Sequence, residues 1–135
     1  LYSEGADFVY SDCGGGTFGV IEAAVEAGLY SAGDAMDHSS YAPGNHLIDT
    51  VISFEGGAYD ICSMYANGTL DGQPHYANYA NGGIGTTKNK DFAANCADAE
   101  LAASMEEYWA IIEDLEAKIL SGEVVVESDS TNNWF

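Results

Sequence analysis

The sequence has no arginine and only three lysines among its 135 residues, against 22 aspartate and glutamate residues, so its formal net charge is −19. Phosphate groups are bound mainly by lysine and arginine, and this composition therefore argues against nucleic acid or an anionic membrane surface as a partner. No apolar run approaches the roughly 20 residues that a membrane-spanning helix requires. The composition predicts an acidic globular domain that binds no nucleic acid.

Cysteine is also scarce, and Cys13, Cys62 and Cys96 are widely spaced. There is no CxxC pair or Cys/His cluster of the kind that binds zinc, so we predict no metal site and no cofactor. Three buried free thiols are the preferred prediction, with one disulfide and a leftover thiol as the alternative. No Ser/His/Asp order or Cys/His pairing indicates nucleophilic catalysis, and we therefore predict that the protein is not an enzyme.

Strands and helices are predicted to alternate along the chain. Short apolar or β-branched runs predict strands at residues 6–11, 29–33 and 47–54, and helical spacing with terminal glycines predicts helices at 19–28 and 57–67. Residues 73–80 and 84–87 are expected to be extended, 124–126 to form a last strand or strap, and 128–135 to be a polar tail. This alternation predicts an α/β fold with a mainly parallel sheet flanked by helices.

Two further segments are predicted to be helical. Apolar residues at spacings of four and three indicate a long helix that packs through Leu101, Met105, Tyr108, Ile112, Leu115 and Ile119. Leu1 to Gly5 is expected to be the last turn of a helix that ends at a glycine. Because the chain begins at Leu1 and not at methionine, we expect it to be part of a longer protein.

Three glycines, Gly14, Gly15 and Gly16, lie between the first predicted strand and the first predicted helix. Glycine allows a close approach of the backbone to a ligand, and the first N–H groups of a helix are free to donate. With Gly19 these residues match the dinucleotide-binding pattern GxGxxG, for which Asp34 is the nearest acidic partner. They are candidate ligand-binding residues, and a tight turn that requires small residues is the alternative.

Asp34, Asp37 and His38 lie together in the loop after the second predicted strand. Ligands of parallel α/β sheets bind at the carboxyl ends of the strands, where carboxylates can accept hydrogen bonds from sugar hydroxyls. A histidine beside two acids can also indicate a metal ion or a general base. The alternative is a solvated loop in a protein that is acidic throughout. Asp34 and Asp37 are the candidate ligand-binding residues.

Five segments of the sequence resemble one known family in their order. They are residues 1–10, the glycine loop with the run GVIEAA from Gly19, Tyr41-Ala-Pro43, Gly82-Gly-Ile-Gly85, and the run KILSGEV from Lys118. In this order they resemble the basic membrane protein family, the purine-nucleoside-binding lipoproteins that serve ABC importers as substrate-binding subunits. The resemblance extends to about Val126 and corresponds to the C-terminal part of such a protein.

The resemblance implies a type I periplasmic-binding-protein fold, in which two α/β lobes close on a ligand. Residues 1–127 would form part of the C-terminal lobe, and a missing N-terminal lobe and an ABC transporter permease would be partners. The ligand would be a small polar molecule of the nucleoside class. The whole protein would be extracytoplasmic and anchored to the membrane as a lipoprotein through an anchor outside this chain.

The sequence departs from the family at positions that the resemblance assigns to the ligand. The family aspartate for ribose hydroxyls falls at Ala35, beside Asp34, and the family lysine falls at Ile52 or Ser53. Asp37 matches a second family acid. Ligand identity therefore stays open, and two other functions stay open with it. These are a nucleotide-binding α/β enzyme domain, which would use the glycine loop for pyrophosphate, and a ligand-sensing domain of a signalling protein.

Overall fold

The computed structural model describes residues 1–126 of the chain. Four strands form one sheet in the order of the sequence: β1 (Phe8–Tyr10), β2 (Tyr30–Gly33), β3 (His46–Ile52) and β4 (Ile84–Lys88). The first three strands are parallel, and β4 pairs antiparallel with β3. The predicted α/β class with a mainly parallel sheet is confirmed.

The helices among these residues are α1 (Thr17–Ala27), α2 (Phe54–Ala66), the short α3 (Phe92–Asn95) and α4 (Ala99–Ser121). Single 3₁₀ turns occupy Tyr2–Glu4 and Gly14–Gly16. The first turn ends at Gly5 in the left-handed conformation, as the sequence predicts. None of the described helices combines the length and the apolar character that crossing a membrane requires.

Local signals account for where the long helix begins and ends. The Asp98 carboxylate accepts hydrogen bonds from the backbone N–H groups of Glu100 and Leu101, at 2.9 and 3.0 Å, and thereby caps the N-terminus of α4. Gly122 follows the C-terminus with φ 78°, a conformation that glycine adopts without steric cost. The helix therefore ends at Ser121-Gly122, where the sequence predicts that it ends.

The predicted apolar stripe of α4 is only partly covered. Met105 is buried, whereas Tyr108 and Leu115 are each 47% exposed. The helix also contacts β4 through charges, because Lys88 Nζ lies 3.2 Å from carboxylate oxygens of both Glu113 and Glu116. The prediction that Tyr108 packs in the core is wrong, because α4 packs mainly against the four-residue helix α3 and not along the sheet.

Other predictions also differ from the structure. The first strand is not buried, because β1 is an edge strand whose Phe8 and Tyr10 side chains are exposed. Residues 73–80 and 124–126 form no strand. The three thiols are free, but none is fully buried, and Cys13 and Cys62 are exposed. The predicted polar tail at 128–135 lies outside the described residues.

Candidate functional site

The carboxyl ends of the three parallel strands meet at one edge of the sheet. The glycine loop follows β1, the acidic segment 34–45 follows β2, and α2 begins just beyond β3. Because β4 is antiparallel and Ile84 pairs with Ile52, the turn that precedes β4 also reaches this edge. The edge where α/β sheets bind ligands therefore carries both groups of predicted site residues.

The start of α1 joins the end of β1 to the segment 34–45. The backbone N–H of Ser11 donates to the carbonyl of Ala32 at 3.0 Å, and the Ser11 hydroxyl lies 3.2 Å from the Thr17 hydroxyl. The aromatic ring of Phe18 meets the imidazole of His38 edge to face, with their centroids 5.1 Å apart. The start of α1 therefore supports both of these segments at the edge.

The three loop glycines differ in what the fold requires of them. Gly14 has φ 55°, which favours glycine, and a Cβ at Gly16 would lie 3.1 Å from the Cys13 sulfur. Gly15 has an ordinary φ, and a Cβ there would meet open space. The backbone conformation and packing therefore explain Gly14 and Gly16, while Gly15 offers an open backbone surface at the strand ends.

Asp34 is half-buried at the end of β2, and its Oδ1 atom is buried without a hydrogen-bond donor among the described residues. Burial and the neighbouring Asp12 carboxyl raise the pKa of Asp34 above its usual value. A hydrogen bond between the Asp12 and Asp34 carboxyl groups requires that one of the two groups holds a proton. Asp12, which the sequence analysis did not select, thus joins Asp34 at this edge and can take part in binding a hydroxyl group.

Asp37 has different surroundings. Its side chain is exposed, and Oδ1 accepts a hydrogen bond from the backbone N–H of Ser39 at 2.9 Å. This bond fixes the local turn and leaves the second carboxylate oxygen available to solvent. The structure therefore presents Asp37 at the surface of the segment 34–45, while Asp34 lies closer to the sheet.

A cavity of about 420 Å³ opens between the ends of β2, β3 and β4. Ala35 lies on its wall in the left-handed conformation, with φ 68°, and its carbonyl accepts a hydrogen bond from the N–H of Ile52. The remaining lining residues are Met36, Val51, Ile52, Ser53, Phe54, Glu55, Gly82, Ile84 and Gly85. The cavity thus brings together Ala35, Ile52 and Ser53, while the predicted site residues Gly14–Gly16, Asp34 and Asp37 lie outside its lining.

Beneath the segment 34–45 lies a buried cluster that the sequence analysis missed in part. The Asp49 Oδ1 atom lies 2.8 Å from His38 Nδ1 and 2.9 Å from His46 Nε2, and all three side chains are at most 2% exposed. Sequence analysis selected His38 but neither of the other two. The one sequence feature that could have identified this cluster is an acidic residue, Asp49, within the β-branched run of β3.

Hydrogen bonding sets the ionisation of this cluster. Burial alone would raise the pKa of Asp49, but hydrogen bonds from the His46 ring, the His38 backbone N–H and the His38 ring outweigh it and leave the pKa below its usual value. Asp49 is therefore ionised at neutral pH, with partners for both of its oxygens.

The strand-end edge is poor in positive charge. Lys88 and Lys90 lie at and beyond the end of β4, which is at the opposite edge of the sheet. Lys118 on α4 pairs with Asp114 at 2.6 Å. Asp12, Asp34, Asp37 and Glu55, by contrast, all lie on segments of the strand-end edge. This distribution favours neutral or cationic ligands over anions.

Comparison with known proteins identifies similar sequences and a similar fold. Residues 1–129 match the model of the Bmp family, described as ABC transporter substrate-binding protein PnrA-like. Basic membrane protein D of Borreliella burgdorferi (strain JD1) is 30% identical over 99 residues, which are 70% of this chain and 29% of that protein.

A crystal structure of ABC transporter system solute-binding proteins from Aeropyrum pernix K1 matches 96% of this chain with a TM-score of 0.66 and 19% sequence identity. At this identity the match shows the fold alone. The chain spans 43% of the matched structure and less than a third of the curated relative.

Proposed function

Because the chain belongs to the Bmp family of PnrA-like ABC transporter substrate-binding proteins, we propose that it forms the ligand-binding edge of a solute-binding protein. The proposed ligand is small, neutral and hydroxyl-bearing, such as a nucleoside. The observation that carries the proposal is the cavity of about 420 Å³ at the strand ends, lined by Ala35, Ile52 and Ser53. These are the positions at which the family resemblance implies ligand contacts.

Polar groups on the other strand-end loops suit hydroxyl donors. Asp34 Oδ1 is buried and lacks a donor, and Asp37 offers an exposed carboxylate oxygen. The glycine loop at Gly14–Gly16 adds backbone N–H donors, although the N–H of Gly16 already bonds to the carbonyl of Cys13. A hydrogen bond from a ligand hydroxyl to a carboxylate contributes roughly 1.5–3 kcal/mol. The arrangement therefore suits a polyhydroxylated ring, with its flat or apolar part in the cavity.

Charge argues against the phosphorylated ligand that a nucleotide-dependent enzyme would require. No lysine lies on the strand-end loops, the sequence has no arginine, and the four acids of this edge would repel phosphate. Ser31, His46 and Asp49 form a hydrogen-bonded Ser–His–Asp series, but all three side chains are completely buried, so the Ser31 hydroxyl is closed to a substrate. The proposed role is therefore binding for import, without turnover of the ligand.

The proposal extends to the whole protein in three respects. A first lobe would close over the strand-end edge by a hinge motion, which is how two-lobed binding proteins enclose their ligands. The closed protein would deliver the ligand to an ABC transporter permease. It would act outside the cytoplasm, with a lipid anchor located in a part of the protein beyond this chain.

Ligand-observed NMR with this chain tests the proposal, because it detects weak binding by half of a cleft. We expect adenosine and inosine to bind weakly, 2′,3′-dideoxyadenosine to bind less, and AMP not to bind. The double variant Asp34→Asn, Asp37→Asn should lose the difference between ribose and dideoxyribose. Asp91→Asn, an exposed acid beyond the opposite edge of the sheet, is the matched control and should bind as the native chain does.

Three outcomes would contradict the proposal. AMP binding more tightly than adenosine would favour a nucleotide site on the glycine loop. Equal loss in the Asp91→Asn control would indicate a general charge effect. Release of free base from a nucleoside during incubation, abolished by changing Asp37 or His38, would indicate an enzyme.

A further inference from the structure

The buried cluster of Asp49, His38 and His46 has a hydrogen-bond pattern that fixes which atoms carry protons. An ionised carboxylate can only accept, so both imidazole nitrogens near Asp49 Oδ1 must donate. This assigns the N–H to Nδ1 in His38 and to Nε2 in His46. The other ring nitrogen of His46, Nδ1, lies 3.0 Å from the Ser31 hydroxyl oxygen.

The same carboxylate also holds the backbone of the segment 34–45. Asp49 Oδ2 accepts a hydrogen bond from the His38 backbone N–H at 2.9 Å, in addition to the ring contact at Oδ1. One side chain of β3 thus binds His38 at two points. His38 lies one residue after Asp37 and four residues after Asp34, so these bonds fix the position of the acidic residues at the sheet edge.

The end of β2 is shaped around this contact. A Cβ atom at Gly33 would lie 2.6 Å from Asp49 Oδ1 and 3.4 Å from His38 Nδ1, so the cluster fills the space that a side chain would need. On its other side the His38 ring packs against Phe18 of α1. The cluster therefore connects β2, β3, α1 and the segment 34–45 at one point.

We propose that Asp49 is a positioning residue for the ligand-binding segment, which it holds at the strand ends through His38 while His46 orients its carboxylate. The proposal deepens the proposed function and rests on it for the identity of the ligand, a neutral hydroxyl-bearing molecule. Asp49 itself touches no ligand, because it is completely buried. Its effect on binding reaches the ligand through Asp34 and Asp37.

The three donor atoms also lie within 4.8 Å of one another, a spacing at which they could hold a metal ion. Two features of the contacts indicate hydrogen bonds between Asp49 and the two rings and not a bound metal ion. The oxygen–nitrogen distances of 2.8 and 2.9 Å have hydrogen-bond length, and one carboxylate oxygen serves both rings. Among the described residues no fourth His, Cys, Asp or Glu ligand completes the tetrahedral set typical of zinc.

Hydrogen exchange of the 34–45 amides and ligand-observed NMR with adenosine test the proposal in the Asp49→Asn variant. We expect the 34–45 amides to exchange roughly tenfold to a hundredfold faster, the range expected for the loss of charged hydrogen bonds, and adenosine affinity to fall by a similar factor. The stability control is Met105→Ala, which truncates a buried side chain of α4 and removes none of the hydrogen bonds to Asp49. It should leave both local exchange and affinity at their native values under folding conditions.

Conservative replacements separate positioning from simple packing. Asn at position 38 can present its side-chain N–H near the place of Nδ1, whereas leucine cannot, so His38→Asn should retain slow exchange and His38→Leu should not. This pair also keeps the proposal testable if Asp49→Asn fails to fold. If the native chain binds no adenosine, the proposed function fails, while the exchange measurement still decides the role of Asp49.

Imidazole ¹⁵N spectra provide the remaining evidence. We expect His38 protonated at Nδ1 and His46 at Nε2 in the native chain, unchanged by a chelator or by one equivalent of Zn²⁺. Saturable zinc-induced shifts of both rings would overturn the proposal in favour of a metal site. Unchanged exchange of the 34–45 amides in both Asp49→Asn and His38→Leu would overturn it as well.

Discussion

Replacing Gly33 by alanine is the most direct test of how the candidate site is built. Gly33 ends β2 and has an ordinary φ, so alanine is compatible with the backbone. Space is the limitation, because the new Cβ would lie 2.6 Å from Asp49 Oδ1 and 2.9 Å from a methyl group of Thr17. Both neighbours are completely buried and cannot swing into solvent.

The expected cost follows from these distances. Ordinary van der Waals separation is roughly 3.5 Å, so the Asp49 carboxylate must move by nearly 1 Å. Such a shift strains its hydrogen bonds to His38 and His46, now 2.8 and 2.9 Å long. Overpacking typically costs about 1–3 kcal/mol, and each weakened charged hydrogen bond adds to this. We expect the free energy of unfolding to fall by roughly 2–5 kcal/mol.

Urea denaturation followed by circular dichroism measures this loss. With a slope of about 2 kcal/mol per molar urea, the midpoint should fall by roughly 1–2.5 M. Gly19→Ala is the matched control, since Gly19 lies within α1 and its added Cβ meets open space. That variant should be more stable by about 0.5–1 kcal/mol. A Gly33→Ala protein within about 0.5 kcal/mol of the native chain would refute the described packing.

Three further predictions concern single positions. Ala35→Gly should raise the melting temperature, because it removes the strain of a left-handed alanine, about 1–2 kcal/mol. The added entropy of glycine in the unfolded chain offsets a smaller part of this gain. A lower melting temperature would contradict the φ of 68°. Asp98→Ala should cost about 1 kcal/mol in urea denaturation, whereas Asp91→Ala should cost little, since the Asp91 side chain caps no helix. Because the pKa of Asp49 is lowered in the folded protein, its contribution to stability is present at neutral pH and is lost as the pH falls below about 4. The free energy of unfolding of Asp49→Asn should therefore fall less steeply with acidification than that of the native chain.

Local signals allowed most of the fold to be predicted from the sequence. Gly28 and Gly122 end helices at the predicted positions because a left-handed C-terminal residue is a local requirement. The β-branched run from Leu47 predicts β3, and the spacing of apolar residues predicts α4. Neither depends on distant parts of the chain.

Burial could not be predicted in the same way, because it depends on what lies across from each residue. Phe8 and Tyr10 have the composition of a buried strand, yet β1 is at the edge of the sheet and its side chains are exposed. The stripe on α4 likewise packs mainly against the short α3, which covers only part of it. In both cases the sequence pattern specifies a face of an element and does not specify its partner.

The sequence predicts where the glycine loop and Asp34 lie in the fold, and both follow neighbouring parallel strands at one edge of the sheet. Their role in ligand binding stays a prediction. His46 and Asp49 were missed because their importance arises only when His38, eight residues before His46, folds back onto β3. An acid inside an apolar strand is the one local sign of such a contact.

Asp49 is a buried acid within a strand whose neighbouring residues are apolar or β-branched. Replacing a buried ionic cluster with well-packed apolar residues is often neutral or stabilising, so stability alone does not require a carboxylate in β3. Apolar contacts permit a loop to slide, whereas hydrogen bonds from a ring and a backbone N–H to one carboxylate define both distance and direction. The role proposed for Asp34, accepting a hydrogen bond from a ligand hydroxyl, requires that directional restraint. The polar cluster lies where the segment 34–45 meets the sheet, which is the place where the restraint would act.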